Sequence, residues 1–304
     1  QFRTSIGGQA LIEGVMMRGP QKIAMAVRKP DGDLQVDVWD APKKTVWNRI
    51  PIVRGVVNMV VSLMDGYKCL MKSAEISTQG LEEEEPSRFE KWLDEKLGDK
   101  MTKVVSVISA VLGFGVAILL FTFLPAFLGG LLKGVLPRWG LSLFEGLLKI
   151  ALFIGYLALV SLMPDMKRMF QYHGAEHKTI FCYEAGLELT VENVRKQRRF
   201  HPRCGTSFLI IALVLSILVF SVVTWSSPLI RTLLKLALTP LVVGIAYELI
   251  KLAGRYDNLF TRIISFPGLQ LQHLTTREPD DSMIEAAIAS MKPVVPETKG
   301  EDQW

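Results

Sequence analysis

Tyr172-His173-Gly174-Ala175-Glu176-His177-Lys178 carries the spacing H-x-x-E-H. On a helix, His173 and His177 stand at i and i+4 and project from one face, so two imidazoles can reach one metal ion. Glu176 lies beside them, placed to orient a water or to act as general base, the arrangement of inverted zinc-protease motifs. Downstream, His201-Pro202-Arg203-Cys204-Gly205-Thr206 offers two more ligand types. Two zinc sets follow. His173, His177, His201 and Cys204 would close a structural site that staples the segment, whereas a catalytic site keeps a vacant position and joins His173 and His177 to a third ligand such as Glu248. Asp165, Glu184, Glu188, Glu192 and Cys182 are weaker candidates. The same residues also suit a plain polar cap, with Glu176 paired to Lys178 or Arg203 and the histidines hydrogen-bonded.

The medium that holds these groups is set by composition. Of 304 residues, 49% are hydrophobic and 21% charged, and mean hydropathy is +0.28. That balance is too oily for an ordinary soluble domain and excludes disorder, collagen and a disulfide scaffold. A helix needs about 20 mostly apolar residues to cross a bilayer. Four segments pass: 104–128, 143–163, 207–225 and 228–250. Glu145 and Lys149, at i,i+4 in the second, can pair near one end, and Glu248 near the end of the fourth is costly there unless paired, coordinated or hydrated. The expected fold is mainly α, a four-span helical membrane protein with a small cytoplasmic α+β portion.

Orientation follows from charge. Thirty of the 35 Lys and Arg fall in residues 1–103, 164–206 and 251–304, which predicts that both termini and the central loop are cytoplasmic. Residues 1–49 lack the apolar stretch of a signal peptide, and the first residue is Gln1 rather than Met. Cys69, Cys182 and Cys204 then face a reducing compartment, which argues against a disulfide. A net charge of +5 suits a lipid-facing surface and is too weak to argue for DNA.

The chain divides by pattern into seven stretches. Residues 1–49 combine a glycine-rich run, 7–19, with a β-hairpin of Lys22–Arg28 and Leu34–Trp39 around Lys29-Pro30-Asp31-Gly32-Asp33. The glycines point to tight backbone packing more than to a phosphate nest, because no Walker lysine follows them. Residues 50–75 form an amphipathic helix that could lie in the headgroup layer, cover a groove between spans, or serve as a core helix. Residues 76–103 are an acidic linker, 82–86, and a lead-in helix, 87–100. Spans at 104–163 and 207–250 flank the loop 164–206, whose basic stretch 191–199 suits anionic headgroups more simply than ribosomal RNA. Residues 251–304 hold a helix, 281–291, capped by Asp280 or Asp281, and an end from Pro293 expected to be disordered. No useful internal repeat is present.

At Gly7–Gly19, Tyr172–Lys178, Leu189–Lys196, His201–Phe208, the fourth span and Pro267–Pro279, the chain resembles the YqhQ-like family, bacterial polytopic membrane proteins labelled predicted metal-dependent enzymes. The resemblance implies a bacterial plasma membrane location and implicates His173, Glu176, His177, His201 and Cys204, with no substrate. The leading expectation is a zinc hydrolase acting at the cytoplasmic membrane face, with Glu176 catalytic. The alternative is a non-enzymatic assembly or accessory factor whose partner is another membrane protein, a second copy of the chain, translocation machinery or the ribosome. A transporter fits less well, since paired intramembrane charges and an inverted repeat are lacking.

Overall fold

The computed structural model describes residues 2–43, 45–80, 101–221, 227–256, 258–298 and 300–303. The acidic linker and lead-in helix expected over 82–100 lie outside them, as does Trp225. Contacts divide the chain into two units, one of residues 1–79, 154–216 and 238–304, the other of residues 80–153 and 217–237.

The first unit is built on an antiparallel meander of β1 (Gly7–Leu11), β2 (Gly14–Arg18), β3 (Lys22–Arg28) and β4 (Leu34–Asp40). The expected hairpin is β3 and β4. The glycine-rich run is a second hairpin rather than a nest, turning at Ile12-Glu13 with Leu11 opposite Gly14. Glycine is needed where backbones close up: a Cβ on Gly14 would collide with the Ala26 carbonyl oxygen. Glu13 takes the left-handed turn position at φ +52, and its carboxylate is held by Arg168 and by the Tyr172 hydroxyl at 3.2 Å.

Alternation along β2 and β3 sends apolar side chains to both faces. Val15, Met17, Ala24 and Ala26 pack on one core with Tyr172, Ala175, Ile284 and Ala287. Met16, Ile23, Met25 and Val27 pack on another with Cys69 and Ile76. Both faces are therefore covered, which is why these two strands read as continuous apolar runs. The cover on the second face is α1 (Val53–Ser77). Its C-terminal half belongs to that core. Its first turns lie against the last long apolar helix, with Arg54 paired to Glu248 and Asn58 Nδ2 donating to the Tyr247 hydroxyl at 2.8 Å.

The apolar helices are α2 (Met101–Ile118), α3 (Leu124–Leu131), α4 (Arg138–Val160) and α8 (Pro228–Arg255). A π turn, Leu119–Phe123, joins α2 to α3 just before Pro125, which has no N–H for the regular helical bond. Among the described residues three helices are long and apolar enough to cross a membrane: Val104–Leu131, Trp139–Val160 and Thr232–Arg255. This corrects the four expected. The helix at the third candidate, 207–225, is α7 (Gly205–Phe220), whose 16 described residues rise about 24 Å against roughly 30 Å of hydrocarbon. Glu145 and Lys149 are also not the simple pair expected. Glu145 is buried against Lys235 of α8, while Lys149 Nζ lies 5.5 Å from the Phe220 ring centre.

The remaining helices belong to the first unit: α5 (Pro164–Glu184), α6 (Val191–Arg195), α9 (Leu259–Thr275) and α10 (Asp281–Met291). The C-terminal end expected to be disordered is instead tied down. Val294 is buried in the sheet core, and Asp302 accepts from the Thr4 hydroxyl and, through its carbonyl, from Ser5 N, both at 2.5 Å.

Candidate metal centre

The loop that holds the H-x-x-E-H spacing is mostly helix. Pro164 starts α5, Asp165 in its first turn complements the helix dipole, and Gly186 at φ +69 follows its end. From Tyr172 to Cys182 the helix is buried nearly all round, because α6 and α10 join the sheet in covering it. Gly174 permits the closest approach, since a Cβ there would collide with the Arg277 carbonyl oxygen.

His173, Glu176 and His177 share the face turned toward α9 and the segment before α7. His173 Nδ1 donates to the Thr275 carbonyl at 2.8 Å, and His177 Nδ1 donates to the Arg199 carbonyl at 2.5 Å. A carbonyl only accepts, so both protons are fixed on Nδ1 and both Nε2 atoms are left to face inward. Cys204, at the start of α7, completes the group: His173 Nε2 lies 3.1 Å from its sulfur. One ligand atom from each of His173, His177 and Cys204 lies within 4.8 Å of the others.

Two buried atoms at this point have no hydrogen-bond partner, His177 Nε2 and Glu176 Oε2. The other carboxylate oxygen of Glu176 accepts from Gly8 N at 3.0 Å. Gly8 is glycine for that contact, since a Cβ would stand 2.9 Å from Glu176 Cγ and 2.6 Å from the Met16 carbonyl oxygen. Leaving such groups bare costs roughly 1–3 kcal/mol each. Two imidazole lone pairs and a thiol form a donor set that fits a divalent zinc-like ion with three protein ligands, and the free carboxylate oxygen of Glu176 is not one of them.

The local electrostatics agree with a thiolate. Burial works against ionisation of Cys204, but His173 and His177 outweigh it and hold the thiol well below its ordinary value. Burial likewise opposes protonation of His173, yet the Cys204 sulfur at its Nε2 raises it to about 9. Glu176 is raised, by burial first, against the pull of both histidines and the Gly8 N–H.

The other expected ligands are engaged elsewhere. His201 is packed between the rings of Phe181 and His177, at centre distances of 4.7 and 5.4 Å, and its Nε2 accepts from Arg203 Nη2 at 3.1 Å. Burial first, and then the neighbouring His177 and Arg203, hold it well below its ordinary value. Glu248 is claimed by Arg54, with Nε to Oε1 at 2.6 Å, and by Ile52 N at 3.3 Å. Neither His201 nor Glu248 joins the convergent group. Among the weaker candidates, Glu184 pairs with Arg203, Glu192 pairs with Lys196, and Cys182 Sγ faces the Glu188 carbonyl. Nor does Glu176 take the cations the sequence offers it, because Lys178 bonds the Arg195 carbonyl and Glu278.

Positioning residues that sequence reasoning missed come from the tail. Gln272 accepts from His201 N and donates to the His201 carbonyl, both at 2.7 Å, and so fixes the segment that presents Cys204. The run 267–279 is part of the family resemblance, but nothing in its residue types discloses a contact 71 positions back along the chain.

A family model described as "Protein of unknown function (DUF1385)" matches residues 50–297, which include every member of this cluster. The chain belongs to that family. It is 36% identical, over 291 residues, to the uncharacterized protein YqhQ of Bacillus subtilis (strain 168), covering 93% of this chain and 90% of that one. No solved structure matches.

Proposed function

We propose that this family member is a multi-pass protein of the bacterial plasma membrane and a zinc-dependent hydrolase, with its centre on the cytoplasmic side. The observation that carries the reading is the convergence of His173 Nε2, His177 Nε2 and Cys204 Sγ, with both Nδ1 atoms pinned by carbonyls. Zinc in such a set supplies a Lewis acid for a carbonyl or phosphoryl oxygen and acidifies water. The chain supplies the rest. The carbonyls of Thr275 and Arg199 orient the imidazoles, and burial of His177 and Cys204 excludes bulk water. Glu176 Oε2, beside the set, accepts the proton of an attacking water and returns it to the leaving group, while Gly8 N holds Oε1 in place. The excess of Lys and Arg in 164–206 and in both terminal stretches supports the cytoplasmic placement.

Zinc content of purified protein tests this directly. Wild type is expected to carry about one zinc per chain on the three-ligand reading, His173→Ala and His177→Ala to lose it, and Glu176→Gln to keep it without turnover. Stable wild type that takes up no zinc from supplemented medium would sink the proposal.

The 3.1 Å contact of His173 with Cys204 favours a second reading, a metal-free thiolate nucleophile with His173 as its base. Under that reading His177→Ala retains activity and iodoacetamide abolishes it. Under the zinc reading bound metal protects Cys204.

A further inference from the structure

Beside the centre lies a cavity of about 540 Å³. Its polar wall carries Arg3, Arg198, Arg203 and Arg262 against one carboxylate, Glu184. Its apolar wall includes Phe2, Phe181, Phe200, Tyr256 and Phe266. Arg203 is the informative member. Its side chain is only 5% exposed, its Nη2 is committed to Glu184 and His201, and its buried Nη1 has no hydrogen-bond partner. A buried guanidinium with a bare donor, facing a cavity with three more arginines, calls for an anion with several acceptor oxygens.

The cavity also has an apolar side. Leu259, Phe260, Ile263 and Phe266 are exposed along one face of α9, while Thr261, Ser265, Gly268 and Gln272 are buried on the other. A helix of this kind, following a segment long enough to cross the bilayer, lies in the headgroup layer with its apolar face among acyl chains. Phe266 belongs to both the exposed face and the cavity wall, so a molecule with a charged head can lodge in the cavity and leave its chains in lipid.

We propose that this cavity binds an anionic phosphate-headed lipid, a phosphate monoester on an acylated backbone, as the substrate class of the adjoining centre. As a statement about substrate this rests on the hydrolase reading; as a statement about binding it stands on the cavity. The two sites adjoin through Phe181, which touches His201, which in turn touches His177, and through Arg203, the chain neighbour of Cys204.

The test is calorimetric titration of the full chain in detergent with dioctanoyl phosphatidic acid, inorganic phosphate and dioctanoylglycerol. Phosphatidic acid is expected to bind saturably and at least about tenfold more tightly than either of the others. Arg203→Gln and Arg198→Gln are each expected to weaken it by about tenfold. Arg198 stacks on Phe181 at the cavity wall, and its substitution spares the buried Arg203–Glu184 pair, which guards against misfolding of Arg203→Gln. Equal binding of the neutral lipid, equal binding of inorganic phosphate, or unchanged affinity in a folded Arg198→Gln overturns the inference. Lipid binding lost in zinc-loaded wild type rejects the cavity assignment alone, and lipid binding by a chain that takes up no zinc rejects the hydrolase alone.

Discussion

His173 Nε2 lies 3.1 Å from the Cys204 sulfur although the two residues are 31 positions apart and belong to different segments. The contact makes Cys204, rather than His201 or Glu248, the third member of the group. Cobalt-substituted protein is therefore expected to show a thiolate-to-metal charge-transfer band. Cys204→Ser should abolish the band and weaken cobalt binding at least about tenfold, while His201→Ala and Glu248→Gln leave both intact. Loss of the band in Glu248→Gln would restore that carboxylate to the ligand set and refute the three-residue assignment.

Gln272 acts on the centre without touching it. Its amide brackets the His201 backbone from both sides and donates to the Ser207 hydroxyl at 3.2 Å, so it holds the two ends of the segment that carries Cys204. Replacing it with Leu removes three hydrogen bonds and leaves buried backbone groups bare. Zinc affinity, read by chelator competition, should fall by about 10–100-fold, in line with the loss of other supports of metal ligands. Gln272→Glu keeps the one acceptor contact, from His201 N, but cannot donate to the His201 carbonyl, and should fall between. Unchanged affinity in Gln272→Leu would show that Cys204 is positioned by α7 alone.

What the sequence disclosed follows the range of the interactions involved. The β3 and β4 hairpin is legible because its turn residues and strand alternation are local, and His173 and His177 are legible because i,i+4 is a property of one helix. The second hairpin was hidden by its glycines, which weaken strand character and serve close approach to the Ala26 carbonyl and to Glu176. Glu248 looked like a ligand because an acid at that depth needs a partner; the partner is Arg54, on a helix almost two hundred residues earlier. Likewise, Glu145 finds Lys235 of α8 and not only its own helix. The choice between Cys204 and His201 turned on ring orientation, and that is fixed by backbone carbonyls no residue pattern reports.

Gly174 tests whether α5 and the tail are as closely apposed as the fold requires. A glycine inside a helix costs about 1 kcal/mol relative to alanine, so on an exposed face Gly174→Ala would stabilise the protein. Here the added methyl meets the Arg277 carbonyl oxygen, and Arg277 N is itself bonded to the Phe170 carbonyl at 2.8 Å. The tail must move, and with it Thr275, which orients His173. Destabilisation of about 1–3 kcal/mol is expected in thermal unfolding, together with reduced zinc retention. A stabilised Gly174→Ala would mean that the tail does not lie against α5.

Asp280 anchors the helix that closes the sheet core. Its Oδ1 accepts from Met283 N at 3.0 Å and from the Ser282 hydroxyl at 2.6 Å, capping α10, whose Met283, Ile284, Ala287 and Met291 are buried. Partial burial works to raise this carboxyl, but the bonds from Ser282 and Met283 and the nearby Arg168 outweigh it and hold the group below its ordinary value. A depressed folded value means that the ionised cap contributes stability above the unfolded carboxyl range near pH ~3.9 and loses it as pH falls through the folded value. Asp280→Ala should therefore cost about 1 kcal/mol at neutral pH, with the gap to wild type narrowing on acidification. Asp280→Asn, which keeps an acceptor but no charge, should stay near wild type at neutral pH and lack that component of the acid dependence. Unfolding of the three proteins between neutral pH and pH ~3 decides the matter: a wild-type to alanine gap that is constant across the range assigns the effect to the hydrogen bond alone and removes the charge from the account.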